Sequence, residues 1–254
     1  MDNTVIMVII IVALVLLGGI FLLYNMQNPS GLPAYTPTPT STPQNQNQTK
    51  GTIYFAVTDA AANMQNVSAI NMTIDRVDVY SAAQGWVTIT QAPQTFSLLE
   101  LKSKNQSKLL AKASVFADTF SQVKLHISKV MVTESGKVKE AKLPSNNFNL
   151  ASTMKVNGNS NSTVTFDFLA DQSLHTTEKG EFIFAPVVSF ESRSNATVDV
   201  DSANTVVTSY GTVDASNTFG MDLNGEVKLN FKIDPNLKLN IGTGGVIQID
   251  TLLK

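Results

Sequence analysis

The chain of 254 residues contains no cysteine. This absence excludes disulfide bonds, thiolate metal sites, a thiol nucleophile and a lipid-modified cysteine. Histidine is also scarce, since His126 and His175 are the two imidazoles, and Trp86 is the single tryptophan. A nucleophile elbow, a phosphate loop, a dinucleotide fingerprint and a zinc-protease helix are all missing from the sequence. The sequence therefore predicts that the protein is not an enzyme and uses no cofactor.

Charged residues are few and nearly balanced. Lys and Arg number 18 and Asp and Glu number 20, which gives a net charge of −2. This balance excludes the broad basic surface that nucleic-acid binding requires, so no nucleic-acid partner is predicted. Residues 1–50 hold only Asp2 and Lys50 of these charges, which sets an N-terminal part of the chain apart from the rest.

One apolar run stands out near the N-terminus. Val5 through Leu23 contains nineteen residues without a charge or a side-chain amide, and Tyr24 follows at the position of an interfacial aromatic. A helix of that length spans roughly 28 Å, about one hydrocarbon core. A cleaved signal peptide is the rival interpretation, but a basic start and a small-residue exit are missing. We therefore predict a retained single-pass membrane anchor in residues 1–27, which contacts the bilayer through residues 5–24.

Residues 28–50 are rich in Pro, Thr, Asn and Gln and show no periodic apolar face. Such a composition cannot bury enough apolar surface to fold, so a disordered spacer is predicted. Membrane orientation has no signal from Lys or Arg, because the nearest basic residue to the apolar run is Lys50. The spacer and the lack of cysteine favour an extracytoplasmic C-terminal domain at the cell membrane. A cytoplasmic domain on the same anchor stays open.

From Gly51 onward the apolar period is two, which is typical of β-strands. Residues 70–79 and 123–132 each alternate, lose phase at Asp75-Arg76 and Ser128-Lys129, and then resume. A phase slip predicts a β-bulge or a change of sheet. The two segments share an Ile-x-basic-Val-x-Val frame, which suggests bent strands in equivalent places of two facing sheets.

The fold class that follows is all-β, with a β-sandwich over residues 51–190. Short strands, Gly and Asn turns and the lack of a long amphipathic helix support it. Leu109–Ala117 is the only plausible helical turn. Residues 191–254 also alternate, but they are few for an independent core, so we predict an additional β module packed on the sandwich.

Residues 51 to about 190 resemble the prokaryotic family known as domain of unknown function 4382. The match keeps the family's order through nine short segments: Thr58-Asp59-Ala60, MTIDRVDVY (72–80), Trp86, Phe96–Leu101, Leu109–Ala111, Phe120–Ile127, Lys142–Ser145, Phe166–Phe168 with Ser173-Leu174, and Ala185–Val188. Ala61 stands where the family usually has proline. The resemblance implies a secreted or surface-anchored sandwich of transthyretin-like or immunoglobulin-like type, similar to carbohydrate-binding modules. It implies no established activity.

Two residues are candidates for ligand binding. Trp86 begins a strand after Gly85, where it could plug the core or offer a stacking platform for a sugar. Asp59 closes the first strand, where its carboxylate could cap its own turn or contact a ligand.

Other candidates carry weaker signals. Asp199 and Asp201 share a strand face and could start a calcium site, but the loop that calcium sites need does not follow. Convergence of Asp59, Asp118, Asp167 and Asp171 in one pocket would favour an extracytoplasmic enzyme. His126 is expected to point outward from its strand, and His175 is expected in a loop. Acceptor sequons for N-glycosylation occur at Asn47, Asn66, Asn71, Asn105, Asn161 and Asn195, where composition alone predicts about four.

The leading functional prediction is a membrane-anchored, outward-facing module that binds or supports other components of the cell surface. Its expected partners are the lipid bilayer and a cell-surface polysaccharide or another surface protein. The alternative is a subunit of a surface filament or layer, in which copies of the apolar helix bundle as in pilins and edge strands pair.

Overall fold

A computed structural model describes residues 49–59, 64 and 66–249. The predicted anchor and nearly all of the predicted spacer lie outside the described residues. Within the described part, no helix has the length and apolarity that crossing a bilayer requires. The described residues all belong to one compact unit.

Strands dominate this unit. In chain order the elements are β1 (Lys50–Thr58), β2 (Val67–Ser81), β3 (Gly85–Thr90), β4 (Gln94–Ser97), α1 (Leu98–Lys104), β5 (Lys108–Phe116), β6 (Asp118–Glu134), β7 (Lys137–Lys142), β8 (Asn147–Val156), β9 (Asn161–Phe168), α2 (Ala170–Ser173), β10 (Leu174–Thr176), β11 (Phe182–Phe184), β12 (Val187–Ser194), β13 (Thr197–Val200), β14 (Val206–Ser209), β15 (Thr212–Met221), β16 (Val227–Leu229), β17 (Leu239–Ile241), a 3₁₀ turn (Thr243–Gly245) and β18 (Ile247–Ile249). The prediction of an all-β fold is confirmed.

One sheet has six strands in the order β16-β15-β12-β9-β1-β5. Only β1 and β9 pair in parallel, and the other neighbours are antiparallel. Strand β12 runs through residues 190 and 191, and β15 pairs with it from Val187↔Gly220 to Ser194↔Thr212. The first part of residues 191–254, which we call the tail, is therefore hydrogen-bonded into the six-stranded sheet.

The second sheet has eight strands and is built on the long pair β2 and β6. The register between them shifts at Ile74/Arg76 and skips Ser128, so both predicted bulges are present. The two bulged strands pair directly with each other, so their expected placement in two facing sheets is wrong. Two adjacent strands can share this sequence pattern, because bulges at the same level of the pair let both strands bend together.

The partners of this bent pair change at the bulges. On one side β3 pairs with β2 and β8 pairs with β6, and on the other side β4 pairs with β2 and β7 pairs with β6. Strands β11 and β10 extend the sheet beyond β7. The sheet therefore has two halves that share β2 and β6 and differ in their outer strands.

Residues 109–117 do not form the predicted helical turn. They lie mostly in β5, which covers the edge of β1 from Lys50↔Phe116 to Val57↔Lys108. Leu110 is an extra residue at a bulge in this pairing, and it interrupts the alternation that would have indicated a strand. The longer helix is α1, which buries Leu98 and Leu101 and is capped after Lys104 by Asn105, a residue with φ of 47°.

The core lies between the two sheets, and a row of phenylalanines crosses its six-stranded side. Ring centroids are 6.2 Å apart for Phe55 and Phe166, 5.9 Å for Phe166 and Phe190, and 6.3 Å for Phe190 and Phe219. These rings come from β1, β9, β12 and β15, which are consecutive in the sheet. The tail thus contributes the last ring of the row.

A smaller core lies outside β11. Ile183 and Ala185 are covered there by Ile233 and Leu239 of the C-terminal segment, residues 230–249. The segment lies close to β15, since a Cβ atom on Gly220 would be 1.9 Å from the carbonyl oxygen of Phe231. Only glycine fits this contact.

Candidate functional site

Trp86 lies on β3 with its ring directed away from the core. Its neighbours Val87 and Ile89 pack against the core, so alternation directs Trp86 and Thr88 to the opposite side. The side chain is 48% exposed, which excludes the core-plug interpretation. Tyr80 lies directly opposite, with ring centroids 5.4 Å apart, and the Lys124 Nζ atom lies 4.5 Å from the indole centroid.

Trp86 is one end of a polar surface that we call the outer face. The outer face is the solvent-exposed side of four strand segments: β3, the second half of β2, the first half of β6, and β8. Strand register arranges its side chains in three rows across the strands, because residues directly opposite each other share a face. The rows are Trp86-Tyr80-Gln122-Ala151, Thr88-Asp78-Lys124-Asn149 and Arg76-His126-Asn147.

A charged network fixes the middle of the outer face. Asp78 is buried although it points outward, because Arg76 Nε donates to its Oδ2 at 2.7 Å and Thr88 Oγ1 donates to its Oδ1 at 2.7 Å. The hydrogen bond from Arg76 to Asp78, together with their charge attraction, raises the pKa of the guanidinium. These contacts hold the side chains of three neighbouring positions in place beside Trp86.

His126 lies on the same face and pairs with a carboxylate. Its Nδ1 is 2.5 Å from Asp75 Oδ1, and both side chains are partly exposed. Asp75 sits at the β2 bulge, where the extra residue turns its side chain toward β6. The sequence reveals no carboxylate near His126, since the two residues are 51 positions apart.

Asp59 lies elsewhere, buried at the end of β1. Its Oδ1 accepts the backbone N–H of Ala170 at 3.4 Å, so the carboxylate links β1 to the start of α2. This contact spans 111 positions of sequence and differs from a cap on its own turn.

The acidic residues considered for an enzyme site are not all together. Asp167 lies opposite Thr58, near Asp59, and α2 carries Asp171 close by. Asp118 lies two residues after Phe116, at the other end of β1, about 30 Å away for nine residues at about 3.3 Å each.

Asp118 is held by hydrogen bonds. Burial alone would raise its pKa, but hydrogen bonds from Ser81, Gln84 and the Thr119 amide outweigh burial and lower the pKa of the Asp118 carboxyl. The Gln84 Nε2 donates to Asp118 Oδ2 at 2.9 Å. This carboxylate therefore secures the turn before β3, which carries Trp86.

The proposed calcium residues lie on the hairpin of β13 and β14. Asp199 is exposed, and Asp201 Oδ1 accepts the backbone N–H groups of Thr205 at 2.7 Å and Ala203 at 2.9 Å. The Thr205 hydrogen bond is the main reason that the pKa of Asp201 is lowered. Among the residues that the structure describes, no three His, Asp or Glu side chains are grouped as a metal site would need.

The sequons fall into two groups. Asn66, Asn105 and Asn195 are exposed and adopt positive φ at turns. Asn71 and Asn161 are half-buried in β2 and β9, and Asn47 lies outside the described residues. The asparagines at turns are therefore more accessible as glycan acceptors than the asparagines in strands.

Two facing sheets around a shared core, with an open polar and aromatic face, define an all-β sandwich-like domain. The chain belongs to the family described as domain of unknown function DUF4382, whose sequence pattern matches residues 50–186. The resemblance stated above is confirmed. No curated protein and no solved structure matches the chain. The matched residues include every strand of the outer face and end just before β12.

Proposed function

We propose that this chain is a cell-surface binding module that holds a polysaccharide on its outer face. The observation that carries the proposal is the exposed indole of Trp86 beside Tyr80, at one end of the first of the three rows. An indole left in water on a rigid strand is a typical contact for the apolar face of a sugar ring.

The polar rows supply what a sugar hydroxyl needs. Gln122, Asn147 and Asn149 offer amide donors and acceptors, and all three side chains are exposed. Lys124 adds a cationic donor next to the indole. Because these residues lie on paired strands, their backbone is ordered before a ligand binds, so the entropy cost of binding is confined to the side chains.

The shape of the face favours a polymer over a small molecule. Small ligands prefer concave sites that enclose most of their surface. The outer face is one side of a four-stranded half-sheet, along which an extended chain can contact successive rows.

The location of the domain is part of the proposal. The apolar run of residues 5–23 and the Pro/Thr-rich spacer support a single-pass anchor with the domain outside the membrane. An immunoglobulin-like or transthyretin-like topology remains a prediction from the resemblance.

Binding to polysaccharide isolated from the surface of the producing cells tests the function. Trp86→Ala in the detergent-solubilised full chain should weaken binding about five- to thirtyfold, since a stacked aromatic contributes about 1–2 kcal/mol. Tyr210→Ala is the matched control, because Tyr210 is 81% exposed and lies off the outer face. Its affinity should equal that of the wild type in co-sedimentation.

Equal affinities for wild type and Trp86→Ala would contradict the proposal. Concentration-dependent ordered polymers of the full chain that persist in Trp86→Ala would favour the filament or layer subunit instead. The Trp86→Ala variant should have the same free energy of unfolding as the wild type, because substitutions at exposed positions change stability little.

A further inference from the structure

A second candidate site lies at the opposite edge of the eight-stranded sheet from Trp86. A cavity of about 490 Å³ opens between α2, β10 and the C-terminal segment. Its lining combines five polar and four apolar side chains: Asp171, Gln172, His175, Thr176 and Lys232, with Leu174, Ile233, Pro235 and Leu237. Its volume falls in the range of about 300–1,000 Å³ that is usual for small-molecule sites.

Two lining residues carry buried polar atoms that the protein does not satisfy. Within the described part of the chain, Asp171 Oδ1 and His175 Nε2 have no hydrogen-bond partner. Buried polar atoms without a partner are rare in folded proteins because they cost stability. Both belong to residues that line the cavity, so a small rotation of either side chain toward the cavity would give its atom a ligand group as partner.

The charge at the cavity is balanced. Asp171 contributes one negative charge and Lys232 one positive charge, and burial lowers the pKa of His175 and keeps its imidazole neutral at neutral pH. Such a balance favours a neutral ligand over a phosphorylated or cationic one.

The walls of the cavity are fixed by contacts behind them. Asp59 accepts the Ala170 N–H, and the Ser173 hydroxyl accepts the Val187 N–H at 2.9 Å, which anchors α2 at both ends. The covering segment is held by Lys238 Nζ, which lies 2.7 Å from Glu178 Oε1.

We propose that this cavity binds a small neutral polyhydroxylated molecule of the monosaccharide class. The Asp171 carboxylate and Gln172 accept from hydroxyl groups, and His175, Thr176 and Lys232 complete the polar set. Leu174, Pro235 and Leu237 contact the apolar face of the ring. The site is separate from the outer face and does not depend on it.

The two histidines allow a direct test. The full chain, labelled with ¹⁵N-histidine and solubilised in detergent, gives imidazole signals from His175 at the cavity and His126 on the outer face. Glucose, galactose, mannose and N-acetylglucosamine are each titrated to about 50 mM, well above a millimolar Kd. At least one sugar should shift the His175 signals saturably and leave those of His126 in place.

Absence of a His175 shift with all four sugars would overturn the proposal. A shift with glucosamine or glucose 6-phosphate and none with the neutral sugars would overturn the assignment to a neutral ligand. A polymer that moves only His126 supports the outer face alone, so failure at one site is distinguishable from failure at the other.

Asp171→Asn separates a ligand role from a structural one. It should raise the sugar Kd measured from the His175 shifts at least about tenfold, while the Tm without sugar stays equal or rises, because Asp171 Oδ1 has no hydrogen-bond partner in the described part of the chain. Asp199→Asn, an exposed carboxylate on the β13–β14 hairpin, is the matched control and should change neither. A lower Tm together with an unchanged sugar response would show that Asp171 is structural and would overturn its assignment.

Discussion

Phe219→Ala tests whether the tail is part of the main core. Phe219 lies in β15, beyond the residues that match the family, and its ring meets Phe190 edge-on at 6.3 Å. If residues 191–254 were a module that only packs on the sandwich, a cavity at this position would affect the tail alone. Because β15 is hydrogen-bonded to β12, we expect instead that the whole domain loses stability.

The magnitude follows from burial. Phe219 is 5% exposed, and replacing a buried phenylalanine with alanine costs about 3–5 kcal/mol. Because Phe219 lies at the end of the phenylalanine row, we expect a loss of stability at the lower end of this range, about 3 kcal/mol. With a urea dependence of about 2 kcal/mol/M, the midpoint should fall by about 1.5 M.

Urea unfolding of a chain spanning residues 47–254, followed by circular dichroism, measures this shift. Phe116→Ala is the matched control, since Phe116 is 40% exposed and the Lys50 Nζ lies 4.9 Å from its ring centroid. It should cost less than about 1 kcal/mol. Equal midpoints for the two variants, or a separate early transition for the tail in Phe219→Ala, would refute the shared core.

Three further predictions concern pH, packing and the membrane. Because burial lowers the pKa of His175, the folded chain binds a proton at this imidazole less readily than the unfolded chain does. The free energy of unfolding should therefore be highest at pH values above about 6.5, the pKa in the unfolded chain, and should fall as the pH drops below that value. His175→Gln should flatten this dependence in urea titrations between about pH 7 and about pH 5, and an unchanged slope would contradict it. Gly220→Ala should cost about 1–3 kcal/mol and speed proteolysis beyond residue 230, since its Cβ would overlap the Phe231 carbonyl; unchanged protection would count against the contact. The full chain should stay in membranes through carbonate extraction, because residues 5–23 are apolar, whereas a mature form starting near Asn28 in the medium would contradict a retained anchor.

The strand character and both bulges are readable from the sequence because a phase slip in alternating apolar residues has few other causes. The slips at Asp75-Arg76 and Ser128-Lys129 fall at the register shifts of β2 and β6. Which strands pair with each other is not readable, since two segments with the same frame fit facing sheets and adjacent strands equally well. The helical expectation for residues 109–117 fails because the bulge at Leu110 disrupts the period.

Part of the candidate site was accessible from sequence. In the run from Trp86 to Thr90, inward Val87 and Ile89 already imply an outward indole. The neighbours Tyr80 and Lys124 become visible only through strand register.

The cavity is even harder to predict from the sequence than the outer face. Asp171 and His175 are four positions apart, but Lys232 and the covering residues lie about 60 positions later in the chain. Tertiary packing alone brings them together.

The most direct test of polysaccharide binding on the outer face is the fluorescence of the single tryptophan. The emission of the full chain reports Trp86 alone, and this side chain is half exposed on the proposed binding surface. We predict a saturable change in intensity on titration with the cell-surface polysaccharide, with protection of the indole from iodide quenching at saturation. Binding that is measured by co-sedimentation but leaves both the emission and the quenching of Trp86 unchanged would contradict the account.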